Sequence, residues 1–318
     1  MMSESRVQIE PLRTGQRAWS LSSSRVRYAR RNLTAYAYVA PAFLIYALFF
    51  LYPAMRLIQL SLQEWDGLNE PSYVGLNNYE RLLNDPVFWK AFWHNVSWML
   101  AAVIVPVFFG LFLAILLVRS PLHGRVIFRT IYFMPQVISS VVVAIIWNWI
   151  YNPSFGALNE LLNFVGLSFL QRGWLGDPNL ALPAVFIAWS WVHYGFCMVI
   201  FIAALQAIDE VYFDAARVDG ADRWQQFRHV MLPFMRAPLS TVVLVTAISS
   251  FQVFDLVYIM TSGGPANATM VLPVFMLDNA FKFRKVGYGA TIAVALGLFI
   301  IVMSILFLRA RGVFKEAD

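Results

Sequence analysis

Cys197 is the only cysteine in the chain, so no disulfide can close within it and no thiolate set can hold a structural zinc. The four histidines, His94, His123, His193 and His229, are scattered along the sequence and form no metal or triad constellation. No Gly-x-x-x-x-Gly-Lys-Ser/Thr occurs anywhere, which removes the usual phosphate cradle for ATP. Charge is scarce as well: Asp, Glu, Lys and Arg make up 13% of 318 residues, against roughly a quarter in soluble domains. An enzyme buried in a membrane would need clustered acids, Ser/His pairs or metal ligands inside its apolar runs, and the sequence has none. The prediction is therefore no catalytic residue and no metal site.

Hydrocarbon takes the place of what is missing. Hydrophobic residues make up 59% of the chain, and the mean hydropathy is +0.62. Charge-free windows long enough to cross a bilayer, about 20 residues of helix for about 30 Å, recur six times. They fall near 35–55, 96–118, 131–152, 180–205, 237–260 and 286–308. Lipid-exposed backbone has no water to bond, and each run is too long and too evenly apolar for a barrel strand, so the spans are helices. The expectation is an all-α integral membrane protein in the lipid bilayer, with six transmembrane helices.

Six spans put both termini on one side, and the Lys and Arg count chooses the side. Seventeen lie in the segment before the first span, after the second and fourth, and in the tail; six lie in the opposite loops. Both ends are thus expected in the cytoplasm, with a basic arm at 1–34, a transmembrane domain at 35–310 and a tail at 311–318. The basic stretch 25–31 before an apolar run has the look of a signal peptide. The run, however, continues past 20 residues, contains Pro41 and Pro53, and ends at Arg56 with no small-residue cleavage site. The formal charge of +6 follows from this topology, so no nucleic-acid partner is implied.

The loops carry distinct signals. The stretch 87–93, rich in Trp and Phe, is expected to lie along the outer membrane face before the second span descends. Residues 152–156 form a turn, and 157–164 a short helix with Leu158, Leu161 and Leu162 on one side, an interfacial plug or a partner contact. The cytoplasmic segment 206–236 is predicted to be two short helices: 211–218, a break at Asp219-Gly220, and 221–231 stopping before Pro233. Ala215 and Ala216 keep one face of the first helix thin enough to enter a groove, and Asp214 sets an anion near its start.

Asp214-Ala-Ala-Arg-Val-Asp-Gly-Ala221, followed by Leu232-Pro233, resembles the cytoplasmic coupling loop of permease subunits in binding-protein-dependent ABC importers. Asp214 stands where that pattern has Glu, and Asp209-Glu210 where it usually has a Pro. Gly75-Leu-x-Asn-Tyr79, Phe128-Arg-Thr-x-x-Phe-x-Pro135 with Trp147 and Gly156-x-x-Asn159, and Phe251-x-x-Phe-Asp255-x-x-Tyr-x-x-Thr-x-Gly-Gly-Pro265 are similar to motifs of the carbohydrate-type group. That group includes the maltose and glycerol-phosphate permeases.

The resemblance implies a type I ABC importer permease fold in a bacterial or archaeal plasma membrane. It also implies a second permease subunit, generally an unlike chain, two ATPase subunits that carry ATP and Mg, and an extracytoplasmic solute-binding protein. Asp214, Ala215, Ala216, Asp219, Gly220, Ala221, Leu232 and Pro233 would make the coupling contact. No cofactor would be bound by this chain itself.

Candidates for the solute pathway lie on the fourth and fifth spans. Trp189, His193 and Phe196 fall on one helical stripe, with two flat rings to cover sugar C–H faces and an imidazole to bond hydroxyls. Thr246, Ser249 and Ser250 share an arc of the fifth span, with Gln252 and Asp255 further round; small hydroxyls so spaced also serve as helix-helix glue. Asp255 is expected near the outer end of its span, as gate, structural bond or solute ligand. Pro106 and Pro135 are candidate hinges. With no Arg cluster at membrane depth, a neutral sugar or glycoside is favoured over an anionic solute. An ion-coupled secondary transporter would show inverted repeats and several intramembrane acids or bases; this chain offers Asp255 and His193 at most.

Overall fold

A computed structural model describes residues 36–119 and 123–311. The basic arm expected at 1–34 and all but the first residue of the tail expected at 311–318 lie outside the described residues. Contacts divide the chain into two units, Met1–Arg56 and Leu57–Asp318. The described part of the first unit belongs to helix α1, Tyr36–Ser61. A wide turn at Ala47–Leu51, closed by the Tyr52 amide on the Ala47 carbonyl, precedes Pro53 and makes room for its ring.

Twelve helices follow among the described residues: α2 Asn77–Leu83, α3 Pro86–Arg119, α4 Arg125–Val137, α5 Ser140–Ile150, α6 Ala157–Phe164 and α7 Ala181–Gln206. Next are α8 Glu210–Val218, α9 Arg223–Phe234, α10 Arg236–Phe251, α11 Asp255–Thr261, α12 Leu272–Leu277 and α13 Val286–Ala310. The only strands among the described residues form a small hairpin, Gln63–Glu64 against Ser72–Tyr73. Helices α1, α3, α7 and α13 are each long and apolar enough to cross a membrane. The pairs α4 with α5 and α9 with α10 also pass if each bent pair is one span, which gives four spans or six.

Three expectations need correction. The aromatic stretch 87–93 is not a separate surface segment: it is the opening of α3, which starts at Pro86, where a missing N–H costs nothing, and runs through 34 residues with Pro106 inside it. The third run is not one straight span. It breaks at Ile138-Ser139, and the axes of α4 and α5 differ by 99°. The fifth run also breaks, at Gln252–Phe254, so α10 ends at Phe251 and Asp255 opens a separate helix.

The deepest packing joins α3 and α7. A Cβ at Gly110 would lie 2.5 Å from the Cys197 Cβ and 2.9 Å from the Met198 amide, so the two helices touch backbone to backbone, as small residues allow in lipid. Cys197 is buried in this seam. One core lies toward the α7 amino terminus, where Trp98 and Ala102 of α3 meet Ala184, Val185 and Ala188; α5, α11 and α12 add to it. The other lies toward the α7 carboxyl terminus, where Val107, Ala114 and Leu117 meet Met198, Phe201 and Leu205. The Gly75–Tyr79 motif turns out to be a clamp. Asn78 is buried and donates to the carbonyls of Ser61 and Gln63, Tyr79 bonds Ser61 Oγ at 2.7 Å, and Thr291 of α13 donates to the same Ser61 carbonyl.

Candidate functional site

The two broken runs break at the same place. After Pro135 the chain turns extended at Ile138 and restarts as α5 at Ser140. After Phe251 it passes through Gln252 and Phe254 in non-helical conformations and restarts as α11 at Asp255. Ser140 Oγ donates to Asp255 Oδ2 at 2.5 Å. Each residue is the first of its helix, where backbone N–H groups lack intrahelical partners and the helix dipole favours an anion. Asp255 itself is exposed. Its carboxylate is met by a hydroxyl and a helix terminus.

Beside the breaks lies a cavity of about 360 Å³. Of the residues proposed from sequence, Trp189, His193, Ser249, Gln252 and Asp255 line it. Trp189 and His193 stack nearly parallel, centroids 4.4 Å apart, and His193 continues to Phe196 at 5.4 Å. This is the flat-faced stripe that the one-turn spacing predicts. The cavity leaves out Phe196, Thr246 and Ser250. Thr246 is fully buried with its Oγ1 2.9 Å from His193 Nε2, which fixes the imidazole, and Ser250 donates back to the Thr246 carbonyl.

Three site residues were missed by sequence reasoning. Gln136 and Ser140 line the cavity, and Gln136 Oε1 is buried with no hydrogen-bond partner. A polar residue directly after Pro135 inside an apolar run was the available signal. Asn95 is wholly buried; it donates to the Ser250 carbonyl at 3.2 Å and accepts from the Leu272 amide at 2.8 Å, which ties α3 to α10 and α12 behind the cavity.

A second constellation occupies the segment 206–236. Asp209 caps α8 by accepting from the Val211 amide. The helix ends in a Schellman turn: the Ala221 amide reaches the Ala216 carbonyl at 2.9 Å and the Gly220 amide the Arg217 carbonyl at 3.1 Å, with Gly220 at φ 79°. Asp222 then opens α9 through a reciprocal capping box with Gln225. The expected stop before Pro233 does not occur. A wide turn at Phe227–Met231 carries α9 through Leu232 and Pro233 to Phe234, since the wider turn relieves the clash of the proline ring with the preceding carbonyl. Asp214, Ala215, Asp219 and Gly220 are exposed. Ala215, Ala216 and Asp219 border a cleft shared with Ala221, Gln225 and His229 of the following turn and α9. Asp214 is held by Arg217 at 2.8 Å.

Residues 106–315 match the family described as binding-protein-dependent transport system inner membrane component. Over 289 residues the chain is 35% identical to the Probable ABC transporter permease protein YurN of Bacillus subtilis, with 90% of this chain and 99% of that one covered. It is 33% identical over 284 residues to the lactose transport system permease protein LacF of Rhizobium radiobacter, covering 88% and 95%. A solved bacterial ABC transporter involved in the import of the acidic polysaccharide alginate contains a chain of the same fold. The TM-score is 0.77 at 21% identity, over 92% of this chain and 99% of that one.

Proposed function

The chain belongs to the family of binding-protein-dependent transport system inner membrane components, and from that premise we propose that it forms half of the pathway by which an ABC importer takes up a neutral sugar or glycoside. A subunit of this family is a permease and not itself an enzyme. The cargo class is supported by the relatives, among them a lactose permease, and by the character of the cavity. The observation that carries the reading is the Trp189–His193 stack facing the cavity at which both broken runs restart. Rings cover the C–H faces of a sugar, while Gln136, Ser249, Gln252 and Asp255 offer hydroxyl partners.

In this reading the broken runs α4 with α5 and α10 with α11 each make one span, which with the four long helices makes six, and both termini are cytoplasmic, the arm at 1–34 and the tail at 311–318 included. Segment 206–236 projects from the transmembrane domain at 35–310 as the coupling loop, and α8 docks by its Ala215–Ala216 face on an ATPase subunit. Two such ATPases hold ATP and Mg, a second and unlike permease completes the pathway, and an external binding protein delivers the solute. The compact Schellman turn at Gly220 supports this, because it makes α8 and α9 one stiff projection able to transmit a rigid-body push.

The test is uptake by proteoliposomes containing the permease pair and ATPase, with a panel of labelled mono- and disaccharides presented by the cognate binding protein. Uptake is expected to need internal ATP and the binding protein and to survive collapse of ion gradients. Uptake driven by a proton or sodium gradient without ATP would overturn the reading.

A further inference from the structure

Helix α3 ends at Arg119, and its final turns carry a stripe at helical spacing, Phe108, Phe112, Ile115 and Arg119. Phe108 and Phe112 are exposed and stacked at 6.5 Å, and Leu116 beside them is exposed too. The stripe runs into a cavity of about 390 Å³, walled by Phe112, Ile115 and Leu116 on the α3 side and by Phe213, Phe227 and Met231 opposite. The polar end of that cavity is Arg119, Arg217, Arg223 and Gln226, and no carboxylate among the described residues lines it.

Two of the three guanidinium groups are fixed in place. Arg119 donates to Glu210 at 2.8 Å and lies 3.5 Å over the Phe213 ring; Arg217 holds Asp214 at 2.8 Å. Arg223 makes no ion pair among the described residues, and Arg119 Nε is buried without an acceptor. The arrangement is an apolar groove along an exposed span, closed at the helix end by cations with one left unneutralised. Among the components of a bilayer, the molecule with that distribution is an anionic phospholipid. Its acyl chain meets the Phe112–Leu116 wall and its phosphate meets the arginines.

We propose that this cavity binds one anionic phospholipid, its headgroup phosphate on Arg223 and Gln226 and an acyl chain against Phe112 and Leu116. The proposal needs only that the chain is embedded in a bilayer, so it is independent of the cargo. The α8 residues that border the opposite cleft, Tyr212, Ala215, Ala216 and Asp219, are not those that face this cavity, Phe213 and Arg217. Both sides of α8 can therefore be occupied together.

The experiment is native mass spectrometry of the permease, purified with its co-expressed subunits and delipidated in detergent, titrated with phosphatidylglycerol or phosphatidylcholine of the same acyl chains. The first phosphatidylglycerol is expected to bind at least about fivefold tighter than phosphatidylcholine, the contribution of about one surface arginine. Arg223→Gln is expected to erase that preference. Arg228→Gln, exposed on the same segment but outside the cavity, is expected to keep it. Equal binding of the two lipids, or an equal loss in both variants, would overturn the site. Competition by water-soluble glycerol 3-phosphate at the concentration of the lipid would overturn the lipid assignment in favour of a free-phosphate site.

Discussion

Ser140 and Asp255, the first residues of α5 and α11, are joined by a 2.5 Å hydrogen bond, although 115 positions separate them in sequence. The bond links the two places where apolar runs break, so neither break can reorient without straining or releasing the other. Two restarts coupled in this way are expected to respond together, as separate proline kinks would not.

Ser140→Ala and Asp255→Ala are each expected to lower unfolding stability in detergent by about 1 kcal/mol, since the carboxylate is exposed and solvent screens much of a charged hydrogen bond. The double variant is expected to lose little more than either single one. A thermodynamic cycle from the unfolding free energies of the wild type and the three variants reads the coupling directly; full additivity would show that the two breaks act independently.

Gly220 holds φ 79° at the turn between α8 and α9, and a Cβ there would touch nothing within 4 Å. The cost of Gly220→Val is therefore in the backbone, about 1–2 kcal/mol for a left-handed non-glycine residue. Asn, which tolerates that conformation, should cost less. Membrane insertion of both variants is expected to be normal. Uptake should fall severalfold in Gly220→Val while ATP hydrolysis continues, and Gly220→Asn should keep most of it. Equal uptake by the two variants would remove the turn from the coupling argument.

Four of the apolar runs were legible as long helices, α1, α3, α7 and α13, because hydrocarbon thickness sets a length and charge sets the ends. Direction was not legible. Hydropathy is blind to the 99° bend between α4 and α5, and Pro135 announces a lost backbone bond three residues before the chain actually turns at Ile138. Trp189 and His193 were legible as a stripe, since one-turn spacing alone places their rings together. Thr246 and Ser250 belong to the same arc as Ser249, yet close packing against α7 and α3 turns them inward as glue. Gln136 and Asn95 were passed over because a single amide in an apolar run has no periodicity to mark it.

Gly110→Ala is expected to destabilise the protein by about 1–3 kcal/mol, because the added methyl would sit 2.5 Å from the Cys197 Cβ and force the α3–α7 seam apart. The clash is with a Cβ, so Cys197→Ala does not relieve it. Cys197→Gly removes that contact but leaves the methyl 2.9 Å from the Met198 amide and 3.0 Å from the Tyr194 carbonyl, so it is expected to rescue only in part, less its own cost in helix propensity. Thermal unfolding of Gly110→Ala alone and combined with each Cys197 variant separates these cases, and rescue by Cys197→Ala would place the clash elsewhere.

Asn95 offers the sharpest test of the packing behind the cavity. Its amide is wholly buried and used at both ends, as donor to the Ser250 carbonyl and acceptor from the Leu272 amide. Asn95→Leu fills a similar volume but strands the Leu272 N–H, at a cost of about 1–3 kcal/mol. Asn95→Asp keeps the acceptor yet turns an oxygen toward the Ser250 carbonyl and buries a charge, so it is expected to be the worse of the two although nearly isosteric. An order of wild type, Leu, Asp in unfolding temperature supports the bidentate role. Equal stability of Asp and wild type would mean that the Asn95 side chain faces water, and that α3, α10 and α12 are not tied at this point.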